Sequence, residues 1–337
     1  MLEPEEIQKQ DSLSLCLTYD NWPRYCKEAY AMKVDFDYND VNQIIFTGMG
    51  GSATSGEIIS YLFNHEKPMK IVKGYHLPNG IDNRSLVVAS SVSGNTQETL
   101  STLIDAIKYD AKIIGISSGG KLEKLCNANR VRHVNIKMLG LPRATLPYLL
   151  YVQLKLIKSL VNITDNQVFD SIRDLERLSR KIRSSNEVEI NASKQLAIWM
   201  LNSLPVCYCS PSLIPVAIRF TNSLNENAKI HAIFGDIIES LHNSIEPWSC
   251  KSELGLKPIL LPCINDDENV KRRFKIVEDF LASRGYDVYK LPRIGSNLLG
   301  NMICLVYFLD YASIYLALLR NIDPSSTPAI DFVKNNL

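Results

Sequence analysis

The chain has 337 residues, 46% hydrophobic and 22% charged, proportions that exclude a disordered, collagen-like or coiled-coil protein and suit two ordinary domains. Lys and Arg number 37 against 36 Asp and Glu, a net charge of +1, so bulk charge draws the chain neither to nucleic acid nor to an anionic membrane. Any anion it binds must be held locally.

The first 34 residues read as an N-terminal helical segment, with a helix over residues 21–32. Eight cysteines, Cys16, Cys26, Cys126, Cys207, Cys209, Cys250, Cys263 and Cys304, are scattered without a C-x-x-C pair, which reads as reduced, buried thiols. The opening MLEPEEIQKQD is too acidic and polar for a signal peptide, and a cytoplasmic protein is expected.

From Gln43 the chain alternates strands and helices. QIIFTGMG, KIVKGY, SLVVASS, KIIGISS and VRHVNIK read as five strands, with helices in GSATSGEIISYLF, TQETLSTLIDAIKYD and RATLPYLLYVQLKLIKSL. Unbroken Ile/Val runs rather than strict alternation predict strands covered on both faces, as in a parallel sheet. Residues 35–162 form this first subdomain. The charged segment 163–189 reads as a helical linker with a solvated face, and the pattern then restarts over 190–337. LPVCYCS, HAIFGD, KPILLPC and DVYKLPR are its strands. The apolar run 302–319, broken by Asp310 and Ser313, is expected as a core helix rather than a membrane span. The fold class is α/β, with two subdomains, each a doubly wound parallel sheet flanked by helices.

Two turns stand out. Thr47-Gly48-Met49-Gly50-Gly51-Ser52 follows the first strand, where small residues admit backbone N–H groups to a ligand at a helix N-terminus. The glycine spacing invites a dinucleotide reading, but the second strand, MKIVKGY, offers lysines and no carboxylate for a ribose. The third strand ends in Ser90-Ser91-Val92-Ser93-Gly94-Asn95-Thr96, where hydroxyls at 91, 93 and 96 exceed the single Ser or Thr that a helix cap needs. Hydroxyls with free amides make a cup for a phosphate monoester. No lysine of the G-K-[ST] type follows, which argues against a nucleotide triphosphate.

GMGGS and SVSGNTQET at these places resemble the phosphate loops of sugar isomerase (SIS) domains. Together with Leu139-Gly140-Leu141-Pro142-Arg143-Ala144, Asn225-Glu226-Asn227-Ala228-Lys229 and Leu241-His242-Asn243, they resemble the bifunctional phosphoglucose/phosphomannose isomerases from about Gln43 onward. The resemblance implies reversible, metal-independent isomerisation of glucose 6-phosphate and mannose 6-phosphate to fructose 6-phosphate through a cis-enediolate, with no cofactor. It implies that Gly51, Ser52, Ser91, Ser93 and Thr96 bind the phosphate. Glu226 is the candidate base for proton transfer between C1 and C2, a task that needs a carboxylate. By the resemblance His242 opens the sugar ring from the partner subunit of a homodimer, Lys334 assists, and Arg143 neutralises the enediolate. Thr327 is the position associated with accepting both C2 epimers, its small side chain leaving room to rotate about C2–C3.

One stretch departs from the pattern: Ser244-Ile245-Glu246-Pro247-Trp248 follows the His-Asn pair, and Pro247 is expected to stiffen it. No cluster with metal-ligand spacing is evident. Two other readings stay open, another SIS isomerase acting on pentose or amino sugars and a non-catalytic sugar-phosphate regulator. A dinucleotide-dependent dehydrogenase ranks behind them.

Overall fold

The apolar runs expected as doubly covered strands form two parallel sheets in a computed structural model that describes residues 2–34, 36, 38–250 and 252–336. The chain divides into two units, Asn21–Asn166 and Met1–Asp20 with Gln167–Leu337.

In the Asn21–Asn166 unit the strands are β1 (Gln43–Thr47), β2 (Met69–Val72), β3 (Ser85–Ser90), β4 (Lys112–Ser117) and β5 (Arg132–Asn135). They lie in the order β2-β1-β3-β4-β5, all parallel, with Ile45 opposite both Lys70 and Val87. Every residue of the central strand β3 is buried, the physical reason its run does not alternate. Helices Gln97–Lys108 and Gly120–Ala128 cover one face, where Leu103, Ala106, Leu122 and Cys126 meet Val87 and Ala89. Helix Leu146–Ile157 packs against Gly51–Phe63 and Trp22–Tyr30. The Gly120–Ala128 helix was not anticipated from the sequence; nine residues with only Leu122 and Cys126 buried give little periodic signal.

The other unit holds β6 (Leu204–Cys209), β7 (Ile233–Asp236), β8 (Leu256–Leu261) and β9 (Tyr289–Lys290) in the order β7-β6-β8-β9, again all parallel. His231, expected within a strand, lies exposed ahead of β7, whereas His133 does sit in β5. Behind this sheet runs helix Leu298–Leu319, long and apolar enough to cross a membrane but buried within the fold from Leu299 to Leu318. It packs on helices Ala192–Trp199, Ile214–Ser223 and Leu15–Asp20.

The segment 1–34 contains helices Pro4–Gln10, Leu15–Asp20 and Trp22–Tyr30, of which the first two belong to one unit and the third to the other. Asp11 starts Leu15–Asp20 by accepting from the Leu15 and Cys16 amides, both at 2.7 Å. The charged segment after residue 163 is helix Asp165–Ile182, with Val168, Ile172, Leu175, Leu178 and Ile182 as a buried stripe. Its Asp174 accepts from the Ser296 amide and hydroxyl at 2.6 Å, and Tyr315 donates to its Ile182 carbonyl.

Candidate functional site

In the order β2-β1-β3-β4-β5 the strand sequence switches direction between β1 and β3, and crevices at such switch points are where α/β sheets bind ligands. The two glycine- and hydroxyl-rich turns are the loops leaving these strands. They are closely apposed: a Cβ on Gly48 would stand 2.8 Å from the Ser90 carbonyl, so only glycine fits. Gly94 has φ +68° and lies directly against the Gly119 carbonyl, which lets the loop after β3 fold onto the loop after β4. Leu122 then donates to the Gly94 carbonyl (2.8 Å), and Ser118 donates to the Val92 carbonyl from both its amide (2.9 Å) and its hydroxyl (2.7 Å).

Ser91 and Thr96 share a hydrogen bond of 2.8 Å between their hydroxyls. Thr96 is the N-cap of Gln97–Lys108 and Gly50 that of Gly51–Phe63, yet neither helix start receives a side-chain cap among the described residues. Both helices therefore bring the positive end of a dipole to this crevice without a side-chain cap, although the Ser52 and Ala53 amides are engaged by the Met49 and Gly50 carbonyls. Ser52 and Ser91 are buried, while Ser93 and Thr96 reach the surface. The arrangement can hold a small dianion without a lysine.

Arg143 is buried in the one-turn helix Pro142–Thr145 that precedes Leu146–Ile157, rather than starting that helix itself. This turn packs against Gly51–Phe63, the helix that opens at the first loop. Thr145 fixes the turn, accepting from the Leu139 amide at 3.0 Å and donating to the Leu141 carbonyl at 3.1 Å.

Glu226 has a specific local setting. Helix Ile214–Ser223 widens into a π-helical turn, Leu224–Ala228, with Glu226 at its centre and half-buried. Single π turns inside α-helices recur at functional sites. The flanking side chains are tied to the long buried helix: Ser223 donates to Asp310 at 2.5 Å and Asn227 to Ser313 at 2.9 Å. Asp310 also pairs with buried Arg219 at 2.7 Å and accepts from Tyr19 at 2.8 Å. Burial alone would depress the Arg219 pKa, but Asp310, Tyr19 and the nearby Glu226 raise it instead. The turn ends on Lys229 in the left-handed region, φ 53° and ψ 44°, which costs a non-glycine residue about 1 kcal/mol.

His242 is exposed in the turns that follow the short helix Ile237–Ser240. Tyr208 on β6 donates to the Ser244 carbonyl (2.9 Å) and accepts from the Trp248 indole (2.6 Å), pinning the loop to the sheet. Pro247 stands at the start of the one-turn helix Glu246–Ser249, where its missing N–H is harmless. Thr327 is the N-cap residue of helix Pro328–Asn335, its carbonyl accepting from Asp331, and Lys334 is exposed in the last turn. Thus Gly51, Ser52, Ser91, Ser93, Thr96 and Arg143 belong to one unit, and Glu226, His242, Thr327 and Lys334 to the other. Among the described residues no three His, Cys, Asp or Glu side chains converge as metal ligands would.

Sequence reasoning missed the π turn and the two cations at its carbonyls. Lys229, read in the sequence only within the Asn225–Lys229 motif, donates to the Glu226 and Asn227 carbonyls, and Arg320, which donates to those of Ala228 and Lys229, carried no signal.

Comparisons with known proteins bear on the family and the fold. Residues 189–337 match the family described as bacterial phospho-glucose isomerase C-terminal SIS domain. The chain is 34% identical over 335 residues to a bifunctional phosphoglucose/phosphomannose isomerase of Caldicellulosiruptor bescii, covering 94% of this chain and 97% of that protein. A protein of the same description from Thermoplasma acidophilum is 28% identical over 327 residues, covering 96% and 99%. Among solved structures, a hypothetical protein of Thermus thermophilus shares the fold with a TM-score of 0.77 over 98% of this chain and 91% of its own, at 16% identity.

Proposed function

The chain belongs to the bifunctional phosphoglucose/phosphomannose isomerase family, and from that premise we propose that it interconverts glucose 6-phosphate, mannose 6-phosphate and fructose 6-phosphate. The observation that carries the reading is the crevice between β1 and β3, with helix ends that lack side-chain caps and with pooled hydroxyls. It suits a compact phosphate monoester, with Gly51, Ser52, Ser91, Ser93 and Thr96 as ligands.

In this reading Glu226 removes the C2 proton of the open-chain aldose and returns it to C1, while O1, a carbonyl oxygen in the aldose, gains a proton and the O2 hydroxyl gives one up to become the ketose carbonyl. The cis-enediolate between these steps carries negative charge, which the Arg143 guanidinium offsets. His242 and Lys334 open the ring, and Thr327 leaves space for either C2 epimer. The chemistry needs only acid, base and a cation, so no metal is invoked.

The test is a coupled assay on glucose 6-phosphate and mannose 6-phosphate in the presence of a chelator. Turnover of both is expected, and turnover of neither at millimolar substrate would sink the reading. Glu226→Gln should lower kcat by at least about a thousandfold while fructose 6-phosphate still binds. Parental turnover in that variant would remove Glu226 as the base.

The working form proposed is a cytoplasmic homodimer in which His242 of one copy serves the other. Ile233, Phe234 and Ile238, exposed on and just after edge strand β7 that leads to the His242 turn, support a partner surface there. That none of the eight cysteines forms a disulfide among the described residues suits a reducing compartment. A monomeric mass by light scattering would refute the dimer.

A further inference from the structure

Four consecutive carbonyls at the π turn, those of Glu226, Asn227, Ala228 and Lys229, are taken by two cations. The Lys229 ammonium turns back onto the Glu226 carbonyl (2.8 Å) and the Asn227 carbonyl (3.1 Å), and also reaches the Asp323 carbonyl (3.1 Å). Arg320 donates to the carbonyls of Ala228 and Lys229. We infer that Lys229 and Arg320 are positioning residues that fix Glu226 as the proton-transferring base, an inference that rests on the function proposed above.

Two features separate this from ordinary helix capping. A left-handed C-terminal position is best filled by glycine, and Lys229 accepts the strain of φ 53° in order to bring an ammonium to the turn. The clamp also does not stop at the helix end. Through Asp323 it ties the π turn to the segment whose next elements are Thr327 and helix Pro328–Asn335. A π turn has an extra residue per turn and no regular continuation, so its side-chain directions depend on what holds its main chain. Ser223 and Asn227 hold it by side chains on one side, and the two cations hold it by the carbonyls at its end. Glu226 lies between them, on a turn fixed on both sides. The cations also face the negative end of the helix dipole, which would otherwise confront the carboxylate.

Lys229→Gly in the full chain supplies the preferred left-handed residue while removing the ammonium. The melting temperature is expected within a few degrees of the parent, KM within about twofold, and kcat lower by roughly ten- to a hundredfold. Lys229→Arg, keeping cationic donors, should recover part of that loss, and Arg320→Met should lower kcat in the same way. Parental kcat in a folded Lys229→Gly or Arg320→Met enzyme overturns the inference, as does a loss that Lys229→Arg fails to relieve. Unfolding of both variants also overturns it, because the clamp would then serve stability alone. Glu226→Gln is assayed beside them. An inactive Glu226→Gln with a fully active Lys229→Gly defeats only the clamp, whereas an active Glu226→Gln defeats the base assignment beneath it.

Discussion

The two sheets share a strand order, yet the loops at their switch points are finished in opposite ways. Between β1 and β3 no carboxylate enters the crevice from the two loops, and both following helices begin without a side-chain cap among the described residues. Between β6 and β8 the corresponding loops carry Ser210 and Asp266. Asp266 accepts from the Ser210 hydroxyl at 2.7 Å and from the Cys263 amide at 2.8 Å, and Ser210 is completely buried. The next helix, Glu268–Ser283, is capped by Asp267, which accepts from the Asn269 and Val270 amides. The loop after β8 thus ties its donors to the protein's own carboxylates, whereas no carboxylate does so in the loops after β1 and β3. Topology supplies a place for an anion, but whether one binds from outside is decided by a few acidic side chains.

The sharpest way to break this contrast is to remove one hydroxyl from each crevice. Ser91→Ala should lower kcat/KM for glucose 6-phosphate by roughly ten- to a hundredfold, the worth of a hydrogen bond to a charged group. Ser210→Ala should leave kcat/KM within about twofold and cost only about 1 kcal/mol of stability. Equal kinetic effects of the two would end the distinction.

A smaller effect concerns pH. Burial raises the Asp266 carboxyl above its ordinary 3.8, outweighing the Ser210 and Cys263 donors and the nearby Arg293 that lower it. A folded-state value above the unfolded one makes the contribution of this group complete below pH 3.8 and lost as pH rises through the folded value. Asp266→Asn does not titrate, so its stability relative to the parent should improve between about pH 4 and pH 7 in urea unfolding. A difference that stays constant or moves the other way would show that the carboxylate is not strained in the crevice.

Much of this was legible in the residues. The Ile/Val runs located the inner strands because a doubly buried strand has no polar face to obscure it. The glycines and hydroxyls after β1 and β3 marked the two loops that the fold apposes, since neither a turn nor a cap alone needs so many. Other features were invisible for physical reasons. The π turn at 224–228 differs from an α-helical end by one residue in its hydrogen-bond spacing, which side-chain periodicity does not record. Helices Pro4–Gln10 and Leu15–Asp20, of seven and six residues, are too short to hold by propensity and form because tertiary contacts hold them. Arg320 is 94 positions from Glu226 by number (320 − 226), so only the fold could join it to the π turn.

Those early helices have a further consequence during synthesis. Asn21–Asn166 is one continuous stretch, so all the strands of its sheet are available once residue 166 has left the ribosome, and domains generally fold as such units, N-terminal first. The twenty residues ahead of it have no such neighbour. Tyr19 finds Asp310 only 291 residues later, and the Cys16 carbonyl finds its donor at Tyr311. Leu15, Cys16 and Tyr19, all buried in the finished protein, must therefore stay in water while the middle of the chain folds. The buried partners of this segment lie on the last long helix in the sequence, so its burial waits on the far end of the chain.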